Sequence, residues 1–235
     1  MRTSLRLTST APLLALTLLA SPIIAVAQTN EQKRVTDAVA VLETLVRAPD
    51  QGIPEHILDR AEAIVVIPSL VKGGFIIGAQ HGRGVMSVRD RANNRWSAPG
   101  FIALTGGSIG WQIGVQSVDL VLLVMNREGV KELLDNEFKL GANASVAAGP
   151  VGRQGEASTD ASLNAQILAY SRAKGLFAGL SLEGASLRVD RDANKDFYGA
   201  TISTEEMVRG ITKTTPIGSQ WTATLARLVP ANATQ

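Results

Sequence analysis

The sequence predicts an α+β fold in a single domain: a Gly-rich, mainly antiparallel β-sheet or partly closed barrel flanked by short helices. Three observations lead there. Helical periodicity sits mainly near the two ends of the chain. Fifteen of the 22 glycines fall between Gly73 and Gly155. Short β-like runs lie among them, with no repeat period and no linker to mark a second domain.

Taken in order, Met1 to Ala27 read as a leader: Arg2 and Arg6 open it, Leu13 to Ile24 carry an apolar run bounded by Pro12 and broken by Pro22, and Ala25-Val26-Ala27 offers a small-x-small cut before Gln28. The run is short for a membrane span. The chain is expected to be exported to a periplasm or cell envelope, with 28–235 as the mature domain and about 35–211 as its core. Thr29 or Asn30 caps a helix to about Arg47, with Val35, Val39, Leu42 and Val46 on one side. Ala48-Pro49-Asp50 stops it, and a short helix starts at Ile53-Pro54. Ala63–Pro68 is a strand-like run. Further β segments are expected at Phe75–Gln80, Gly84–Arg89, Phe101–Leu104 and Trp111–Met125, with a polar hairpin connection at Arg89–Arg95. Trp111, Ile113 and Val115 alternate with Gln112, Gly114 and Gln116, the pattern of a strand with one wet side. Val118–Met125 is almost continuously apolar, broken only by Asp119, and reads as buried on both sides. Asn126 caps a helix to about Phe138, with Val130, Leu133, Leu134 and Phe138 as its stripe. β pieces follow at Leu140–Ala148, Gln166–Ser171 and Leu176–Val189. Ser203 and Glu206 have capping-box spacing, and Trp221, Leu225, Leu228 and Val229 form a last amphipathic turn or two.

Charge removes one function class. The chain has 23 Lys and Arg against 21 Asp and Glu and a pI of about 9.1, which suggests a polyanion binder. Arg2 and Arg6 leave with the leader, so the mature domain is balanced and has no long-range field for nucleic acid. Aromatics are 4% of the chain, without the aromatic–basic interleaving of RNA readers. There is no cysteine, hence no disulfide, thiolate metal site or thiol nucleophile. Two histidines, His56 and His81, are too few for a zinc site.

Two motifs point to chemistry. Gly106-Gly107-Ser108-Ile109-Gly110 matches G-x-S-x-G, but the sequence after Ser108 reads as strand and both histidines precede it, so a hairpin turn in a Gly-rich sheet is expected instead of a nucleophile elbow. Asp190, Asp192, Asn194 and Asp196 alternate as in a calcium loop. Lys195 and Thr201 stand where that loop needs Gly and Glu, so a polar turn between strands is expected rather than a metal site. Glu128, Glu132, Asp135 and Glu137 alternate with Arg127, Lys131 and Lys139, as on a solvated helix face. No catalytic residue and no cofactor is implied, and no enzyme is expected.

A local asymmetry carries the functional expectation. Lys72, Arg83, Arg89, Arg91 and Arg95 face one acid, Asp90, within 72–95. Phe75, Trp96, Phe101 and Trp111 lie in or just after that stretch. Cations beside aromatics suit an anionic lipid surface, each Lys or Arg near it adding about 1 kcal/mol. The five cations are the headgroup candidates and the four aromatics the apolar contacts, provided they share a face.

Ala63-Ile64-Val65-Val66-Ile67-Pro68, Lys72-Gly73-Gly74-Phe75, Gly82-Arg83-Gly84-Val85, Trp96-Ser97-Ala98-Pro99, Gly110-Trp111-Gln112-Ile113-Gly114, the run Gly141 to Gly152, Tyr170 to Gly179, and Asn194 with Phe197-Tyr198-Gly199 form an ordered set that resembles the SYLF-domain family, in its exported bacterial branch. The resemblance covers roughly Val35 to Ile211. It implies a non-enzymatic lipid-binding module, with a phospholipid or membrane surface as partner. Eukaryotic members bind phosphoinositides and some engage actin; an exported bacterial chain meets no actin, so the ligand class is anionic phospholipid. Some relatives are held to bind membranes through a basic amphipathic N-terminal helix. Here Lys33, Arg34 and Arg47 balance Glu31, Asp37 and Glu43, a departure from that pattern. Two readings of other classes stand beside this one: an envelope assembly protein that self-associates through sheet edges, and a serine hydrolase through Ser108.

Overall fold

In the computed structural model the first helix, α1 (Asn30–Val46), begins at a reciprocal cap. The Thr29 hydroxyl accepts from the Gln32 N–H at 3.2 Å, and the Gln32 side chain accepts from the Thr29 N–H at 3.1 Å. Its apolar side (Val35, Ala38, Val39, Leu42, Leu45) is buried against the sheet, each Val or Leu among them contributing about 1.5–3 kcal/mol of transfer free energy. The structure describes residues 28–49, 52–93, 95–134, 138–152, 165–174, 176–177, 180–203, 206 and 215–229, and the backbone alone at 75–77 and 108–114. The expected leader, 1–27, lies outside these. Pro54 precedes the short α2 (Glu55–Arg60) as its N-cap.

Two long strands follow, β1 (Ala63–Asp90) and β3 (Gly100–Val124), with the two-residue β2 (Arg95–Trp96) between them. They form one antiparallel ribbon whose register runs from Met86↔Gly100 near the turn to Ala63↔Val124. The four separate β segments expected from the sequence are therefore parts of two strands. Gly106–Gly110 is not a turn: Gly107 and Ser108 sit inside β3, opposite Ala79 and Gly78. Glycine weakens a strand but does not end one where the cross-strand ladder continues.

The ribbon doubles back on itself. A β-carbon on Gly84 would stand 2.2 Å from the Val66 carbonyl oxygen, and one on Gly82 would stand 2.6 Å from an Ile67 methyl. Only glycine permits backbones to cross so closely. Register shifts between Ile67 and Leu70 and between Gly74 and Ile76 supply the bends. At the first, Ser69 takes φ 53°, and its N–H donates to Asp119 Oδ1 at 3.0 Å. That bond explains the one acid inside the apolar run of β3.

The remaining strands add to the edges of β3 and its neighbours. After α3 (Arg127–Leu134) come β4 (Phe138–Lys139), β5 (Val146–Ala148), β6 (Ile167–Ala173), β7 (Leu176–Phe177) and β8 (Ser186–Val189). β6 pairs with Asp119–Val124 and β8 with Ile102–Thr105; β5 runs parallel to β6, β7 closes a hairpin with β6, and β4 pairs with β8. Phe138 is fully buried in β4, not on the helix stripe expected for it, because it pairs with Leu187 inside the curled sheet.

The sheet buries both sides of Leu120–Val124, as the apolar run requires. On the outer side Val121 and Leu123 pack with Ile64, Val66, Val85, Phe101 and the helices; on the inner side Leu120, Leu122 and Val124 pack with Met86, Leu104, Leu133 and Phe138. The outer layer is α1, α2, α4 (Arg191–Tyr198) and α5 (Pro216–Leu228). The last of these is a full helix rather than one or two turns, capped by Thr215, with Trp221 and Leu225 fully buried. The result is an α+β domain with a curled, half-barrel sheet flanked by helices.

Candidate functional site

The five cations singled out in 72–95 do not share a face. Arg89 is 5% exposed. Its Nη1 donates to the Asp59 carbonyl at 2.7 Å and its Nη2 to the Leu58 carbonyl at 3.2 Å, closing the end of α2. The guanidinium stacks on Trp96, 4.7 Å from the ring centroid. Burial, then the charge of Arg91, pushes the Arg89 pKa below its ordinary value, against the opposing pull of Asp59 and Glu62. A headgroup has no access to such a group. Arg91 pairs with Glu62 at 2.6 Å and Arg95 with Asp90 at 3.4 Å. Asp90 is itself held below the usual carboxylate range, first by the Asn93 side-chain hydrogen bond.

Nor do the described aromatics form a lipid contact. Phe101 is fully buried beneath Arg34 and beside Phe197. Trp96 is buried, and its indole N–H donates to the Val229 carbonyl at 3.1 Å. They are core because the helical layer lies over this part of the sheet, which sequence spacing alone does not reveal. The side chains of Phe75 and Trp111 lie outside the described residues.

Arg83 differs. It shares the outer side of β1 with Val85, Ser87 and Arg89, since alternate residues share a side. Val85 and Ser87 lie under the helices, with the Trp221 indole donating to Ser87 Oγ at 2.7 Å; Arg83 lies beyond their edge and is exposed. Cross-strand register sets Arg83 opposite Ala103 and Ala103 opposite Arg188. The next row on that side is His81, Thr105, Ser186 and Lys139. Arg83, Arg188, His81 and Lys139 are all exposed. Arg188 and Lys139 join the site from β8 and β4. No local motif announces them; only the alternation of Ser186, Leu187 and Arg188 hints that Arg188 faces away from the core. Lys72 lies on the other arm of the ribbon, half-buried.

Two other candidates resolve. Asp190, Asp192, Asn194 and Asp196 do not form a turn between strands. Asp190 caps α4, accepting from the Ala193 N–H at 3.1 Å and from Arg34 Nη1 at 3.2 Å. Asn194 is buried and engaged with the backbone N–H of Phe101 at 3.0 Å and its carbonyl at 3.3 Å. On a helix the alternate positions diverge by about 200°, so these oxygens cannot converge on an ion. Gly199 at φ 70° ends the helix. Among the described residues there is no cluster of three metal-ligating side chains, and no helix is long and apolar enough to cross a membrane. At Ser108 the backbone continues a ladder instead of the sharp strand-to-helix turn a nucleophile elbow needs.

The family model for Ysc84, described as "Las17-binding protein actin regulator", matches residues 105–228. Protein YSC84 of Saccharomyces cerevisiae is 36% identical over 187 residues, covering 76% of this chain and 40% of the yeast protein. LAS seventeen-binding protein 3 of the same yeast is 36% identical over 186 residues, covering 77% and 40%. Human SH3 domain-containing YSC84-like protein 1 is 33% identical over 165 residues, covering 70% and 48%. The chain belongs to the Ysc84 family, the SYLF-domain proteins. It spans less than half the length of these relatives.

Proposed function

We propose that this protein is a non-enzymatic lipid-binding module of a bacterial cell envelope, processed before Gln28, that docks on anionic phospholipid through the outer side of its sheet. The observation that carries this reading is the register that sets Arg83 and Arg188 on either side of Ala103, with His81 and Lys139 in the next row. Neighbouring strands are about 4.8 Å apart, so the row spans a few lipid headgroups. Arg83, His81 and Lys139 make no ion pair among the described residues, which leaves them available to phosphate. The neutral N-terminal helix is a poor alternative: its apolar side is buried in the core and its Arg34 is paired with Asp190.

Flotation of the processed protein with phosphatidylcholine vesicles, with and without phosphatidylglycerol, tests the reading. Binding that needs the anionic lipid and weakens with salt is expected. Equal binding to both vesicle types, or none, would remove it. Retention of a protein partner with no vesicle binding would instead favour the kind of role for which the yeast relatives are named.

A further inference from the structure

Large hydrophobic side chains that stand exposed among the described residues are three: Val115 at 81%, Val71 at 47% and Leu176 at 71%. They come from different strands, yet register brings them to one end of the sheet. Val71 is opposite Ser117 and Gly73 is opposite Val115. Asp119 is opposite Arg172, and Leu176 is opposite Ala173, so β6 and β7 end level with Val118. With strands about 4.8 Å apart and about 3.3 Å of rise per residue, Val115 and Leu176 lie roughly 14 Å from each other.

Two further features mark the same end. The sequence has no Lys, Arg, Asp or Glu from Gly73 to Gly82 or from Trp96 to Val118, so the ribbon that leaves the sheet here carries no formal charge. Cations stand where it leaves: Lys72 on β1, Lys174 in the β6–β7 turn at φ 48°, and Arg172 opposite Asp119. Lys72 and Lys174 have no acidic partner among the described residues, and Asp119 is engaged with the Ser69 N–H. Trp111, Ile113 and Val115 were expected to face a core, with the intervening polar residues wet; Val115 instead faces solvent, and Gln116 is half-buried.

We infer that this end of the sheet is a lipid anchor: Val115, the outermost of the three, enters the membrane interface, and Val71 and Leu176 meet its boundary, where Lys72 and Lys174 reach anionic headgroups. An uncharged stretch of ribbon, with Val115 ahead of Lys72 and with Lys174 beside it, matches the layering of a bilayer surface, and a soluble partner has no need of that order of charge. Entry is shallow. Between Gly106 and Val118 the outer edge of β3 has no partner strand among the described residues, and open edges are not tolerated in hydrocarbon. The contact therefore stops at the headgroup–acyl boundary, about 5–10 Å deep. This inference rests on the lipid-binding reading and adds an anchor to it.

Because the chain has no cysteine, Val115→Cys and Leu176→Cys can each carry a polarity-sensitive dye, with Ala223→Cys on α5 as the distant control. With vesicles of phosphatidylcholine and phosphatidylglycerol, the dye should shift to the blue at 115 and 176 and not at 223. Val115→Asp, at a site too exposed to disturb folding, should weaken vesicle partitioning at least about tenfold. Flotation with an unshifted dye at 115 would overturn the anchor and leave lipid binding standing. Absence of flotation would remove both. A blue shift at 115 that grows with protein concentration without vesicles would assign the end to a second copy of the chain and overturn the anchor.

Discussion

Arg83 and Arg89 occupy the same side of the same strand, separated by Val85 and Ser87. At Arg89 the helical layer covers the sheet, and the guanidinium is buried, bonded to two carbonyls and stacked on Trp96. At Arg83 the layer has ended, and the neighbours across the sheet are Ala103 and Arg188. The same residue type is a structural clamp in one place and a surface charge in the other. Local sequence does not distinguish them, since the deciding fact is how far α1, α4 and α5 reach over β1. The covered half of the sheet is where stability resides; the bare half is where binding can occur.

The largest expected effect breaks the covered half. Gly84→Ala should destabilise by roughly 3 kcal/mol or more, because its β-carbon meets the Val66 carbonyl oxygen at 2.2 Å and backbone has to move. Gly107→Ala, whose nearest neighbour would be 4.0 Å away, should leave stability within about 0.5 kcal/mol. Thermal melts of the two side by side check the contrast, and equal losses would contradict the crossing. Next, Arg89→Met should cost about 2–3 kcal/mol through the freed carbonyls of Leu58 and Asp59, while lipid binding of the folded fraction is unchanged.

Arg83→Gln should do the reverse, shifting stability by less than about 0.5 kcal/mol and weakening anionic vesicle binding by about 1 kcal/mol, roughly fivefold. A melting loss at Arg83 comparable to that at Arg89 would erase the distinction. The smallest effect appears only in alkali. Burial holds the Tyr170 and Tyr198 hydroxyls protonated well above their usual range. Their neutral forms are favoured in the folded state, so the stability they support is present below the unfolded tyrosine pKa of about 10 and is lost as pH rises beyond it. The Tyr170 hydroxyl has no hydrogen-bond partner among the described residues. Tyr170→Phe should therefore be near neutral at pH 7 and flatten the alkaline decline. Chemical denaturation at pH 7 and above pH 10 measures both.

Those elements whose burial follows from local spacing were legible in the sequence. Thr29, Val35 and Leu42 define α1 because a helix places residues three and four apart on one side. The run from Leu120 to Val124 is apolar because two cores need it. Glycine misled at 106–110, where a turn was expected inside what is a continuous strand: these glycines pair with Gln80, Ala79 and Ile76 and the ladder runs on through them. Asp190–Asp196 misled because the Asp and Asn that suit a polar turn between strands also suit a helix cap and first turn, and here they begin a helix. The cationic row was illegible for another reason. Arg83, Lys139 and Arg188 meet only through cross-strand registry between β1, β3, β4 and β8, and no local pattern encodes registry between distant segments.

The hairpin that joins β1 to β3 also fixes an order of assembly. Pairing nearest the turn, at Met86 and Gly100, closes a short loop; pairing at Ala63 and Val124 closes a long one and is entropically dearer until the intervening rungs have formed. The ribbon zips outward from its turn, through the uncharged glycine-rich stretch, and only then builds the floor of Ile64, Val66, Val121 and Leu123 on which α1 lies. Yet α1 is synthesised first, and Trp221 and Leu225, which complete its berth, come last. At about 5–20 residues per second of synthesis, the apolar side of α1 waits on the order of 10–40 s for its partners. Of the described helices, the first made shares its shelter with the last.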